Sequence, residues 1–191
     1  MTKDDIIALP NPHLRQRSQR VGVITPEIRQ LCLDMIEAAR DWEASRNQEI
    51  CVGLAGVQVD QLVRVVIIRN DFNDYKNREF TIFINPEIAK HEGEMVTEPE
   101  GCLSVPDIYG EVPRYSKVRV TALDIDGRPF RITAEGFLAR ILQHEIDHLH
   151  GKLFIDHIED AKDAFYRLMP DGKLEPLDYD KHIKHNDTLW S

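Results

Sequence analysis

Residues 134–150 constrain the fold more than any other stretch. Phe137, Leu138, Ile141, Leu142, Ile146 and Leu149 recur there at helical spacings and spread apolar side chains around much of a helix circumference. A helix that is apolar on more than one side has to be enclosed by other elements. The pattern predicts a helix from about Ala134 to His150, with Gly151 placed to end it in a left-handed conformation.

The material to enclose it precedes it. Leu62 to Arg69 is rich in Val and Ile, and Glu79 to Ile88 alternates with β-branched residues until Pro86. Lys117 to Leu123 and Phe130 to Thr133 flank Asp126-Gly127, a dipeptide suited to a hairpin turn. Earlier, Thr25-Pro26-Glu27 reads as a helix start, followed by an apolar stripe of Ile28, Leu31, Met35, Ala39 and Trp42. Cys32 lies on that stripe and is read as core. Leu9 to Leu14, carrying Pro10 and Pro12, is expected to be extended. The order of helix, strands and buried helix has no regular βαβ alternation. It indicates an α+β fold, with antiparallel or mixed β-sheets packed around a central buried helix. No repeat or linker divides the 191 residues, so one catalytic domain over 1–191 is expected. About 166–191, broken by Pro170, Gly172 and Pro176, reads as an irregular C-terminal tail.

Charge narrows the function. Lys and Arg total 24 against 33 for Asp and Glu, a net charge of −9, which argues against DNA as a partner. The longest strongly apolar run, Val65 to Ile68, is far short of a membrane span, and residues 1–20 hold no apolar signal segment. A monomer in the cytoplasm is expected, with no membrane association. Three cysteines (Cys32, Cys51, Cys102) without a secretory signal predict reduced thiols rather than disulfides. Cys51 reads as a small buried residue.

The chemistry concentrates in Gln143-His144-Glu145-Ile146-Asp147-His148. On a helix, His144 and His148 project from one face about 5–6 Å apart at Cβ, a spacing at which two imidazoles hold one divalent ion. Glu145, beside the first ligand, stands where a general base for metal-assisted hydrolysis would stand. The same three residues on a solvated surface helix would have no task, but here they fall within an apolar helix, where burial without function carries a desolvation cost. A third protein ligand must come from elsewhere. His150 points to another face, and nothing frames His157 or Glu159. Upstream, Glu100-Gly101-Cys102-Leu103-Ser104 offers Cys102, whose thiolate is a strong ligand. Gly53-Leu54-Ala55-Gly56-Val57-Gln58 adds glycines for close backbone approach and an amide donor at Gln58.

Taken in order, these three segments resemble the signature motifs of the peptide deformylases, a GLAAxQ-like loop, EGCLS and QHExDH. The resemblance runs from Leu9–Val21 through Ile155, with support from Ile84-Asn85-Pro86, Val112-Pro113-Arg114 and the hairpin at Ala122–Gly127. It implies a hydrolase that removes the N-formyl group from the N-terminal formylmethionine of nascent polypeptides and releases formate. It also implies one divalent metal per chain on Cys102, His144 and His148. Ferrous iron is the implied native metal, with zinc, nickel or cobalt accepted in preparations, whereas the ligand types alone suit both iron and zinc and the Irving–Williams order favours zinc. Glu145 would be the general base. The Gln58 side-chain amide and the Leu103 backbone N–H would stabilise the oxyanion. Gly53 would contact the substrate backbone, and Phe137 and Ile141 would line the methionine pocket. The implied partners are N-formylmethionyl peptides, with ribosome contact left open.

Some positions depart from the family pattern. Gly56 replaces a second Ala, which should loosen the loop while leaving Gln58 in register. Tyr109 stands where some members carry Arg, and Glu98 stands at an often apolar position near the pocket. Arg140 matches a pocket position but is expected to be exposed. Two other readings compete, a metallopeptidase of the His-Glu-x-x-His type and an inert deformylase-like protein whose metal only holds the fold. The first lacks a framed downstream ligand, and the second has no use for Glu145 or Gln58.

Overall fold

The structure is a computed structural model that describes residues 1–46 and 49–190. Seven strands, β1 (Gly53–Ala55), β2 (Val65–Arg69), β3 (Phe80–Cys102), β4 (Val105–Leu123), β5 (Pro129–Glu135), β6 (Phe165–Leu168) and β7 (Leu174–Pro176), form one connected sheet. All strand pairings are antiparallel, in the order β1-β2-β3-β4-β6-β7, with β5 also on β4. The fold is therefore α+β as expected, with a single branched sheet in place of several.

Helix α1 (Pro26–Ala44) begins as its sequence dictates, with the Thr25 side chain accepting from the Ile28 amide and Pro26 at the first position. Its buried face, which includes Cys32 and Met35, packs on Leu54, Val65, Ile67 and Ile84. Helix α2 (Gly136–His148) lies on the other side, where Ala139, Ile141, Leu142 and Ile146 meet Val66, Ile68, Phe83, Val118 and Val120. Alternate residues of β2 thus serve opposite cores, which is why this strand reads as an unbroken apolar run. The helix is mostly buried from Ala139 onward, while Phe137 in its first turn is exposed.

The secondary structure differs from expectation in four places. Helix α2 starts at Gly136 rather than Ala134, because Ala134 pairs with Val118 in the sheet and Gly136, at φ +57°, breaks the strand. Leu9 to Leu14 is not extended throughout, since Pro12–Arg15 forms a 3₁₀ turn whose His13 amide donates to Asn11 Oδ1. Strand β3 continues past Pro86 to Cys102, accommodating the proline where the register shifts between Ile84 and Glu87. Finally, the tail is ordered. β6 pairs with β4 at Ile108–Gly110, and short helices α3 (Tyr179–His182) and α4 (Asp187–Trp190) follow. Ile183 and Leu189 are buried against Leu153, Phe154 and Ile155.

Candidate metal centre

β3 and β4 form one long hairpin whose final pair is Cys102 and Val105, so Cys102 stands at the hairpin tip beside the Leu103-Ser104 turn. Helix α2 presents His144 and His148 to the same point. The Cys102 sulfur is 3.3 Å from His148 Nε2, and one ligand atom from each of Cys102, His144 and His148 lies within 4.8 Å of the others. Among the described residues no other group of three such side chains converges in this way. His150 instead contacts Arg64, and His157 contacts Asp147.

The donor set suits one divalent ion. The Nδ1 atom of His144 is engaged at 3.0 Å by Glu100 Oε2, which leaves Nε2 as its ligand atom and fixes the ring. A thiolate and two imidazoles supply three of the four positions of a catalytic site and leave one open. Beside them the Oε2 atom of Glu145 is buried without a hydrogen-bond partner. Burial pushes the Glu145 carboxyl up to about 7, with His144 opposing and Glu100 adding to the shift.

The first loop closes the site from the opposite side. Gln58 Oε1 accepts from the Ala55 amide at 2.9 Å, which turns its Nε2 toward Ser104 Oγ at 3.1 Å and the Cys102 sulfur at 3.5 Å. Gly53 lies against Glu145, and a Cβ there would come 2.6 Å from Oε1 of that carboxylate. Gly53, Gln58, Cys102, Leu103, Phe137, Ile141, His144 and Glu145 line one cavity of about 380 Å³, while His148 lies behind it, fully buried. Every predicted site residue is therefore at this cavity or directly behind it. Gly56 does not loosen the loop as expected. A Cβ there would meet the Val63 carbonyl at 2.9 Å, so the turn is tight and glycine fits it. Tyr109 also lines the cavity, its ring lying over Gly101, where a Cβ would come within 2.6 Å. Burial pushes the Cys32 thiol to about 11 and the Cys51 thiol higher still, so both are inert core residues.

Motif reading missed a buried ionic cluster beneath the ligands. Glu100 accepts from Arg114 Nε at 2.9 Å and Nη2 at 3.1 Å, and from Arg140 Nη1 at 2.7 Å, as well as from His144. Arg114 also pairs with Asp147 on α2. Arg140, expected to be exposed, is 4% exposed. Its charge is taken up by Glu100, Glu98 and backbone carbonyls, which is the condition for burying a guanidinium. The available signal was spacing, since Phe137, Arg140, Ile141 and His144 share one helix face.

The chain is similar to known proteins over most of its length. A family model for polypeptide deformylase matches residues 3–164. A peptide deformylase from Thermomicrobium roseum is 44% identical over 175 residues, covering 89% of this chain and 93% of its own. Another from Nitrobacter hamburgensis is 43% identical over 161 residues, covering 83% and 88%. Among solved structures, a peptide deformylase from Synechococcus elongatus in complex with actinonin superposes with a TM-score of 0.72 at 35% identity, covering 82% of this chain and 80% of that one. With the three motifs gathered at one cavity and relatives matched over most of their length, the chain belongs to the polypeptide deformylase family.

Proposed function

We propose that this protein hydrolyses the N-formyl group of N-terminal formylmethionine on nascent polypeptides and releases formate. The observation that carries the reading is the convergence of Cys102, His144 and His148 with the buried, unpartnered carboxylate oxygen of Glu145. Cys102, His144 and His148 would hold one divalent ion, with ferrous iron the native metal and zinc, nickel or cobalt acceptable substitutes. That ion supplies the Lewis acidity that polarises the formyl carbonyl and eases deprotonation of water.

This chain's own residues do the rest. Glu145, whose buried Oε2 has no other partner, takes a proton from the attacking water and returns it to the departing amine. The Gln58 amide, aimed by the Ala55 N–H, donates to the oxyanion together with the Leu103 backbone N–H. Gly53 allows the substrate backbone close to Glu145. Phe137 and Ile141 line the wall that receives the methionine side chain. A formyl carbon carries no substituent beyond hydrogen, so it reaches an enclosed carboxylate that larger acyl groups would not. Glu145 and Gln58 also favour this reading over an inert protein whose metal is structural, because such a site needs neither a base nor an oxyanion donor. No described helix is long and apolar enough to cross a membrane, and we place the activity in the cytoplasm, in a monomer working on chains leaving the ribosome.

The test is formate release from a formyl-Met dipeptide by anaerobically purified protein, beside the unformylated peptide, with metal analysis of the same sample. About one metal per chain and formate only from the formylated peptide are expected. Glu145→Ala should abolish release while keeping the metal; turnover at the wild-type rate would refute the base assignment.

A further inference from the structure

Arg140 sits four residues before His144 on α2, and its side chain is 5% exposed. Its Nε donates to Glu98 Oε2 at 3.1 Å, its Nη1 to Glu100 Oε1 and to the Val112 carbonyl at 2.7 Å each, and its Nη2 to the Val96 carbonyl at 2.7 Å. One planar fork thus grips β3, β4 and the carboxylate that orients His144. The two Glu100 oxygens divide the work. Oε1 receives Arg140 Nη1 and Arg114 Nε, whereas Oε2 receives Arg114 Nη2 and His144 Nδ1. Without Arg140, Oε1 keeps one donor, and the carboxylate is held only by Arg114 and His144, with nothing tying it to α2 one turn before His144.

A buried guanidinium carries a desolvation cost of its own, which replacement of the whole ion pair by apolar side chains would avoid, so packing alone does not account for it. Its distinctive property is geometric, since a rigid fork bonds several acceptors in fixed directions and an ammonium does not. Glu98, half-exposed at 52%, bonds the Nε edge of that fork.

We propose that Arg140 is a positioning residue for the metal centre: kept in plane by Glu98, it locks the Glu100 carboxylate so that the His144 ring stays aimed at the Cys102 sulfur. The role is exerted through Glu100, without contact to substrate. It rests on the metal-centre reading of Cys102, His144 and His148 and is independent of which acyl group the enzyme removes.

The charge of Arg140 works against its role in one respect, since removing a nearby positive charge would by itself favour a divalent cation. Arg140→Lys separates the two effects by keeping the charge and losing the fork. Zinc affinity measured by chelator competition is expected to fall roughly tenfold or more, as for other residues that orient metal ligands. The thiolate absorption band of the cobalt-loaded protein should shift as well, while circular dichroism stays unchanged. Glu98→Ala should weaken zinc binding a few-fold, and Glu98→Gln, which retains an acceptor oxygen, should stay within about twofold of wild type. The two Glu98 variants alter a half-exposed side chain and carry the test by themselves if Arg140→Lys does not fold. An affinity within about twofold of wild type and an unchanged cobalt spectrum in folded Arg140→Lys would overturn the proposal. So would equal behaviour of the Glu98→Ala and Glu98→Gln proteins. None of these readouts uses formate release, so failure of the deformylase reading would appear separately, as a metal-loaded wild type that releases none.

Discussion

Gly53 meets the Glu145 carboxylate so closely that a single methyl group would collide with it, at 2.6 Å from Oε1 and 2.9 Å from the carboxyl carbon. Gly53→Ala should therefore displace the proposed base without disturbing the ligands. Formate release is expected to fall about tenfold or more, in line with the loss of a well-placed general base. Metal content and melting temperature should stay close to wild type, and a fully active variant would show that Glu145 can move freely. At this scale the sequence is most informative where a fixed helical spacing does the work. His144 and His148 share a face because they are four apart, and Glu145 follows from its place beside the first of them. The third ligand could be proposed from residue chemistry, but its convergence with the imidazoles comes from the sheet. Arg140 was misread because a long cationic side chain usually lies in solvent, and the carbonyls of Val96 and Val112 that receive it belong to distant segments.

Between elements, Asp147 on α2 and Arg114 on β4 form an ion pair that ties the central helix to the long hairpin. Burial alone would raise the Asp147 carboxyl, but hydrogen bonding from His157 and the charge of Arg114 outweigh it and hold the group near 2 rather than 3.8. A carboxyl with a depressed folded-state pKa adds stability above its unfolded value and loses it as pH falls. The contribution is thus present at neutral pH and vanishes on acidification from about pH 4 toward pH 2. Asp147→Asn should cost about 2 kcal/mol at pH 7 and flatten the fall of melting temperature over the acid range. Parallel pH–melting curves for the two proteins would contradict this. The elements themselves were unevenly legible. Helix α1 and the apolar strand β2 carry capping and burial signals of their own, whereas the outer half of β3, from Lys90 to Pro99, is largely exposed and so lacks alternation. Its strand character comes from pairing with β4. Pro86 likewise reads as a strand end because the register shift that absorbs it is a property of two strands together.

Across the whole molecule, the last segment braces the body of the fold. Strand β6 extends the sheet from Ile108–Gly110, the side chains of Ile183 and Leu189 are buried, and Arg15 donates to the Leu189 carbonyl at 2.7 Å. This region carries no periodic signal because its elements are too short, and they gain their order from residues near Leu153 and from the N-terminal segment. The family model ends at residue 164, so this brace lies outside the matched region. Ending the chain after Ala164 removes three buried apolar side chains, Phe165, Ile183 and Leu189. It should lower the unfolding free energy in urea by about 4.5–9 kcal/mol at about 1.5–3 kcal/mol each. Leu168 lines the cavity, so KM for formyl-Met peptides should also rise. Unchanged urea unfolding would mean that the brace contributes no stability.

The hairpin that carries Cys102 at its tip dictates an order of assembly. Its thiol meets the imidazoles only after the β3–β4 hairpin has formed and α2 has packed on the sheet, which brings together Cys102 and His148, 46 residues apart along the chain. An ion arriving earlier would find scattered donors and no cage. An ion held by Cys102, His144 and His148 would thus be captured by the folded protein, at donors already brought together.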